Sequence, residues 1–295
     1  MVKNLTLDIA IISRFRPELL ACCLAFIEKQ TFKPQRVILV ISSKDKPSQE
    51  LARKSVLPIK IKFQDKKGHA YSRNKALLSC NADFLYFIDD DCYLGKNALK
   101  EAFLFLKSHY DYSAIQGKSI NVDNGFYSQF AQWTNEVWFK RLWNEKEKTL
   151  GALDTKNVCF RKKAIKDLFF NECLGSEDVD FGFQIASLGG KIGFNPKMIV
   201  YHHEQAMNFL TYVRKRIRMI KGLAMVKKKW GNLPYFYNNN QKYEREIRAA
   251  FQKSKYNKQL RYRLFLELVF FLRRIRKIID KVVFQRKMDF KKILI

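Results

Sequence analysis

Between residues 5 and 88 the chain alternates two hydrophobic periodicities, and that alternation confines it to one class of fold. LTLDIAII at 5–12 reads as a strand. RPELLACCLAFIEKQ follows, with Leu19, Leu20, Cys23, Leu24 and Ile27 at helical spacing and Pro17 suited to a first helical turn. RVILVI at 36–41 is a continuous apolar run, as expected of a strand covered on both faces. A short helix near 48–54, IKIKF at 59–63, a helix after Gly68 and FLYFI at 84–88 complete the series. Strands and helices in strict alternation predict an α/β fold, a mostly parallel sheet flanked by crossover helices.

In open sheets of this kind, ligands collect beyond the carboxyl ends of the strands. Ser13 and Arg14 follow the first strand, Ser42 to Asp45 the second, and Asp89, Asp90 and Asp91 follow FLYFI. Adjacent carboxylates repel, so the triplet gains nothing in stability by itself. Two acids at i and i+2 on a turn can converge on a divalent cation that bridges nucleotide phosphates. An acidic helix start or a solvated loop is the competing reading.

Three further stretches carry chemistry. In KKGHAYSRNKALLSC (66–80), Gly68 permits close backbone approach, the helix start offers free amides, and Arg73 can fork onto a phosphate. Glu177 and Asp178 open a predicted helix in GSEDVDFGFQIASLGG, with Ser176 or Asp178 as its cap. A carboxylate there could instead deprotonate an acceptor hydroxyl. MIVYHHE places His202 and His203 after a strand, where neighbouring side chains point to opposite faces, so at most one can complete a metal shell.

Taken in order, FRP, GHAYSRNKAL, FIDDD, TKNVCFRKKAI, LGSEDVDFGFQIASLGGKIGFNP and VYHHE resemble the inverting family 2 glycosyltransferases of the GT-A fold, over roughly residues 5–230. The resemblance implies a Rossmann-like, mostly parallel sheet and a nucleotide-sugar donor. It implies that Asp89 and Asp91 match the DxD aspartates at the donor ribose and the pyrophosphate metal, Mn2+ or Mg2+. Ser13, Arg14, Arg73 and Asp90 then fall on the donor side, Asp178 is the general base, His202 adds a metal ligand, and Asn157 and Glu177 border the acceptor. The chain departs from the family in three places. ISSKD replaces the usual acidic stretch after strand two and leaves Asp45 as the displaced contact for the base. Lys156 stands where the family usually has glycine. No QxxRW follows the histidines, which disfavours a processive synthase; RKRIRMIKGLAMVKKKWG looks instead like the helix that closes many non-processive members.

Charge divides the chain unevenly. Residues 205–295 hold 25 Lys/Arg against 5 Asp/Glu, +20 of the chain's +28. The sequence therefore reads as a catalytic domain over 1–230 and a basic helical extension over 231–295. In that extension Leu264, Leu268, Phe271, Leu272, Ile275, Ile279 and Val282 line one side, with Arg273, Arg274, Lys277 and Lys281 elsewhere, as in a helix lying on an anionic membrane. A homodimer seam, or packing on the catalytic domain, would use the same apolar stripe. The N-terminus is too short and too acidic for a signal peptide, and no run of about 18 apolar residues occurs. The six cysteines lack a CxxC pair and fit free thiols buried in a reducing cytosol. The expected location is the cytoplasmic face of the cell membrane, and the expected acceptor a lipid-linked or cell-surface glycan. A nucleotidyltransferase, or a nucleic-acid-binding protein using the basic tail, are the alternatives; no familiar nucleic-acid motif is present.

Overall fold

The computed structural model describes residues 4–203, 207–231, 240–271 and 274. The chain forms two compact units, Met1–Pro234 and Tyr235–Ile295. In the first, the alternating series appears in order as β1 (Leu7–Ile12), α1 (Pro17–Glu28), β2 (Arg36–Ser42), α2 (Lys46–Lys54), β3 (Ile59–Gln64), α3 (His69–Ser79) and β4 (Phe84–Asp89). There follow β5 (Cys92–Leu94), α4 (Ala98–Ser108), β6 (Tyr112–Asn121), α5 (Phe126–Leu142), the two-residue strands β7 (Trp143–Asn144) and β8 (Thr149–Leu150), and β9 (Val158–Arg161). The unit closes with α6 (Glu177–Ser187), β10 (Lys191–His202) and α7 (Phe209–Trp230).

The main sheet has eight strands in the order β3-β2-β1-β4-β9-β6-β10-β5. The first four are parallel, as the sequence periodicity requires. β9 runs antiparallel to both neighbours, β10 is parallel to β6, and β5 is antiparallel to β10. The apolar strands β2 and β4 are buried along their centres, where each large side chain removed from water contributes about 1.5–3 kcal/mol.

One topological fact positions everything else. Only Asp90 and Asp91 separate β4 from β5, yet β5 pairs at the far end of the sheet, four strands away. A flat sheet would put those positions ~19 Å apart at a strand spacing of ~4.8 Å. Three residue steps reach at most ~11 Å. The sheet must therefore curl, and the curl returns the end of β10 to the aspartate turn, with His202 in register opposite Cys92.

The second unit contains α8 (Asn240–Gln252) and helical residues 260–271. Its core joins Ile247, Phe251, Tyr262, Phe265, Leu266 and Phe270, and Arg248 forks onto Glu267 across the helices. Leu264, Leu268 and Phe271 are exposed on the outer side, and Arg274 pairs with Glu244. Leu272, Ile275, Ile279 and Val282 of the predicted stripe, and the bases Arg273, Lys277 and Lys281, lie outside the described residues. Among the described residues no helix is long and apolar enough to cross a membrane. The cysteines are free thiols, but Cys22 and Cys173 are exposed, correcting the expectation of uniform burial: helix α1 turns Cys22 outward while Cys23 faces the core.

Candidate active site

The aspartate triplet splits into three environments. Asp89 ends β4 and is partly exposed, Asp90 is wholly buried in the turn, and Asp91 sits beside His202. His202 Nε2 lies 3.6 Å from Asp91 Oδ1. With Cys92 Sγ these groups offer three ligand atoms within 4.8 Å of one another. Burial, followed by the charges of Asp89 and Asp91, pushes the Cys92 thiol well above its ordinary value. The adjacent histidine is turned away: His203 Nδ1 lies 3.2 Å from Asp123 Oδ1, while its backbone N–H donates to Asp91 O at 2.8 Å. Strand alternation separates the two rings, and the curl decides which one meets the aspartates.

Behind this cluster the loop after β1 is fastened by two acids. The Asp45 carboxylate accepts the Phe15 N–H at 2.6 Å and, as the cap of α2, the Ser48 N–H at 3.3 Å. Phe15 takes a left-handed φ of 53°, a conformation that costs a bulky residue energy and that the Asp45 contact holds in place. Arg16 then forks onto both oxygens of Asp90 and reaches Asp91 Oδ2 at 3.2 Å. Burial pushes Asp90 up to about 6, opposed by the Ser13 hydroxyl and by Arg16. Ser13 is buried there, whereas Arg14 is exposed with its guanidinium 5.8 Å from the Phe15 ring centre.

Arg73 joins the triplet to the start of α6. It is buried on α3, with Nη1 donating to Glu177 and Nη2 3.6 Å from Asp89 Oδ1. Its Nε is buried without a hydrogen-bond partner among the described residues. Burial works against the cation, but Asp89, Glu177, Asp178 and Asp154 together raise its affinity for the proton. Ser176, not Asp178, occupies the cap position of α6. It takes a left-handed φ of 63° and makes no side-chain cap bond. Asp178 Oδ1 accepts the next N–H, of Val179, at 2.8 Å, and the residue is partly exposed. Burial first, then Asp154 and Glu177, push Asp178 up to about 7 against the pull of Arg73.

The residue standing in place of the family glycine completes this charge pattern. The Lys156 ammonium bonds Asp154. Burial opposes the charge, yet Asp154 and Asp89 hold Lys156 well above the ordinary lysine value. Asp154 stays below the usual carboxylate range because Lys156 outweighs its burial.

Several expected residues have other work. Asn157 does not border an acceptor pocket: it is wholly buried, Nδ2 donates to Lys118 O and Met198 O at 2.9 Å each, and Oδ1 accepts from Tyr86. It fills the irregularity in the β6–β10 pairing between Asn195 and Ile199, where Gly117 leaves room. Asp45 spends both oxygens on backbone amides, and Asp90 spends both on Arg16. Glu177 is taken by Arg73. The sequence reading missed Arg16, although it lies within FRP, and Asp154, two residues before Lys156. Their signal was a charge directly after a strand or directly before a departure from the family pattern.

Solved structures share this architecture. The mannosyltransferase PcManGT from Pyrobaculum calidifontis, in complex with GDP-Man and Mn2+, aligns with a TM-score of 0.65 over 92% of this chain and 81% of its own, at 16% identity. S. aureus TarS 1-349 in complex with UDP-GlcNAc aligns with a TM-score of 0.61 over 86% and 74%, at 17% identity. At such identities the likeness is one of fold, and the fold is GT-A. A search of curated proteins finds no match. The chain is a glycosyltransferase. It belongs to glycosyl transferase family 2, whose family model matches residues 8–169, more than half its length.

Proposed function

We propose that the protein is an inverting, metal-dependent, non-processive glycosyltransferase. It moves a sugar from a nucleotide-sugar donor to a hydroxyl of a lipid-linked or cell-surface glycan. The observation that carries this reading is Arg73, which touches the acid that ends β4 and the acid that opens α6. One buried cation thus pairs with both Asp89 and Glu177, which supports reading the two ends as one site.

The oxygen and nitrogen donors of the Asp91 carboxylate and the His202 imidazole fit a divalent cation such as Mn2+ or Mg2+. A cation held there by Asp91 and His202 would supply positive charge to offset that of the departing nucleoside diphosphate. Arg16 holds Asp91 Oδ2 and so presents Oδ1 toward His202. Asp89 and the unpartnered Arg73 Nε serve the donor. Asp178 takes the acceptor proton as the oxygen attacks the anomeric carbon from the face opposite the diphosphate. The new glycosidic bond forms as the diphosphate bond breaks, which inverts the centre in one displacement. Asp45 and Asp90 act one layer back, by fixing the 13–16 loop. The catalytic domain spans 1–230, and the extension over 231–295 attaches the enzyme to the cytoplasmic face of an anionic membrane or to a second copy.

Calorimetric titration with nucleotide sugars, with and without Mn2+ or Mg2+, tests the reading. Asp178→Asn retains donor binding and loses transfer, whereas Asp91→Asn weakens the metal-dependent binding. Equal loss of donor binding in both variants, or no binding of any nucleotide sugar to the wild type, overturns it.

A further inference from the structure

Helix α7 has two sides of opposite chemistry. Its inner side buries Tyr212, Gly222 and Val226. There Arg216 donates to the Thr134 hydroxyl, and Lys229 Nζ lies 2.7 Å from the buried Asp180 Oδ1. Its outer side is assembled from Leu210, Arg214, Ile217, Lys221, Met225 and Lys228, which share an arc of about 80° at 3.6 residues per turn. Leu210, Ile217 and Met225 are 53%, 40% and 43% exposed, and the three bases between them are exposed as well. The 22 residues of the helix include eight Lys/Arg and no Asp/Glu.

Each half of that pattern excludes a simpler role. A helix face that only meets water has no use for three aliphatic side chains in one line with its bases. A groove for a nucleic-acid backbone has use for the bases alone. A face in which aliphatic residues alternate with bases, on a helix that carries no acids, complements one surface in both respects. That surface is an anionic bilayer, with phosphates at the level of the ammonium and guanidinium groups and acyl chains just beneath. From Leu210 to Lys228 the helix runs ~27 Å, long enough to lie along such a surface.

We propose that this outer face of α7 rests on an anionic lipid bilayer, with Leu210, Ile217 and Met225 entering the headgroup boundary and Arg214, Lys221 and Lys228 meeting lipid phosphates. The contact belongs to the catalytic unit itself, and is separate from the C-terminal extension and from the donor chemistry.

The test is flotation of the full-length chain with phosphatidylcholine vesicles, with and without phosphatidylglycerol. R214Q/K221Q/K228Q binds the anionic vesicles about a hundredfold more weakly than wild type. I217S/M225S binds them about tenfold more weakly, and the deficit persists at salt concentrations that screen the bases. Nucleotide-sugar binding without vesicles, measured on the same preparations, stays at the wild-type value and shows that both variants are folded. If both variants float as the wild type does, the extension alone anchors the chain and the proposal fails. If R214Q/K221Q/K228Q loses single-stranded RNA as strongly as vesicles while I217S/M225S loses neither, the face is a polyanion site and the proposal fails. A wild type that ignores anionic vesicles overturns it too, whatever nucleotide sugars do.

Discussion

A carboxyl group that accepts a proton during sugar transfer works best when its own affinity for the proton lies near the working pH. Asp178, pushed up to about 7, meets that condition, and its close carboxylates make the titration a property of the group rather than of one residue. In the proposed mechanism Asp178 acts deprotonated, so kcat/KM is expected to rise with pH along an acid limb centred near 7, and Asp178→Asn to lower transfer about 10²–10⁴-fold at every pH. Lys156 reaches that carboxylate group through Asp154, whose charge is among those acting on Asp178. Its ammonium keeps Asp154 ionised, and removing a cation from a cluster of acids makes the last proton harder to release. Lys156→Met therefore moves the acid limb to higher pH, as a pH series of initial rates measures. An unmoved limb would show that Lys156 is electrostatically remote from the base. At this scale the sequence marked the positions of Asp91 after a buried strand and of Asp178 at a helix start, while which of His202 and His203 lies beside Asp91 is visible only in the fold. It did not disclose Asn157, Asp90 or Asp45 as internal fasteners. Each has a partner 30 to 74 residues away, which only folding brings to it.

Between elements, one close approach holds the turn before Asp178, and one buried amide ties the strands of the sheet. Gly222 of α7 packs against Gly175, so a Cβ at 222 would lie 2.4 Å from the Gly175 carbonyl carbon and oxygen and 2.6 Å from Ser176 Oγ. Backbone on both sides leaves no flexible end to give way. Gly222→Ala therefore displaces the 175–178 turn, lowering kcat in initial-rate assays while leaving donor affinity in calorimetry unchanged. A parallel loss of donor affinity would mean that the displacement spreads to Arg73. On the far side of the sheet, Asn157→Ala strands the carbonyls of Lys118 and Met198 and the Tyr86 hydroxyl in the core. Each buried polar group left unpaired costs about 1–3 kcal/mol, so the variant loses about 3 kcal/mol or more in urea titration. The β-α alternation of the first 88 residues was legible because each strand and helix carries its own periodicity. The curl that brings β10 to the aspartate turn was not, because β5 is three residues long and its pairing is decided by the whole sheet.

Across the whole molecule, the candidate site and the densest stretch of charge belong to different units. Every residue assigned to donor, metal, base or loop support lies between Ser13 and His202, inside the Met1–Pro234 unit. Residues 235–295 carry 17 Lys/Arg and 5 Asp/Glu, +12 of the chain's +28, and have a core of their own around Phe251, Phe265 and Phe270. A unit that contains its complete sheet and buries its own strands has the stability of an independent domain, whereas charge placed outside it acts on association. Residues 1–234, expressed alone, therefore give one cooperative thermal transition and bind nucleotide sugar as the full chain does. The same piece keeps the basic face of α7, so its affinity for anionic vesicles falls without vanishing, and the salt dependence of that affinity becomes shallower as +12 is removed. Loss of the cooperative transition would show that the second unit completes the fold of the first. An undiminished salt dependence would show that the extension, for all its charge, faces away from the surface on which the enzyme works.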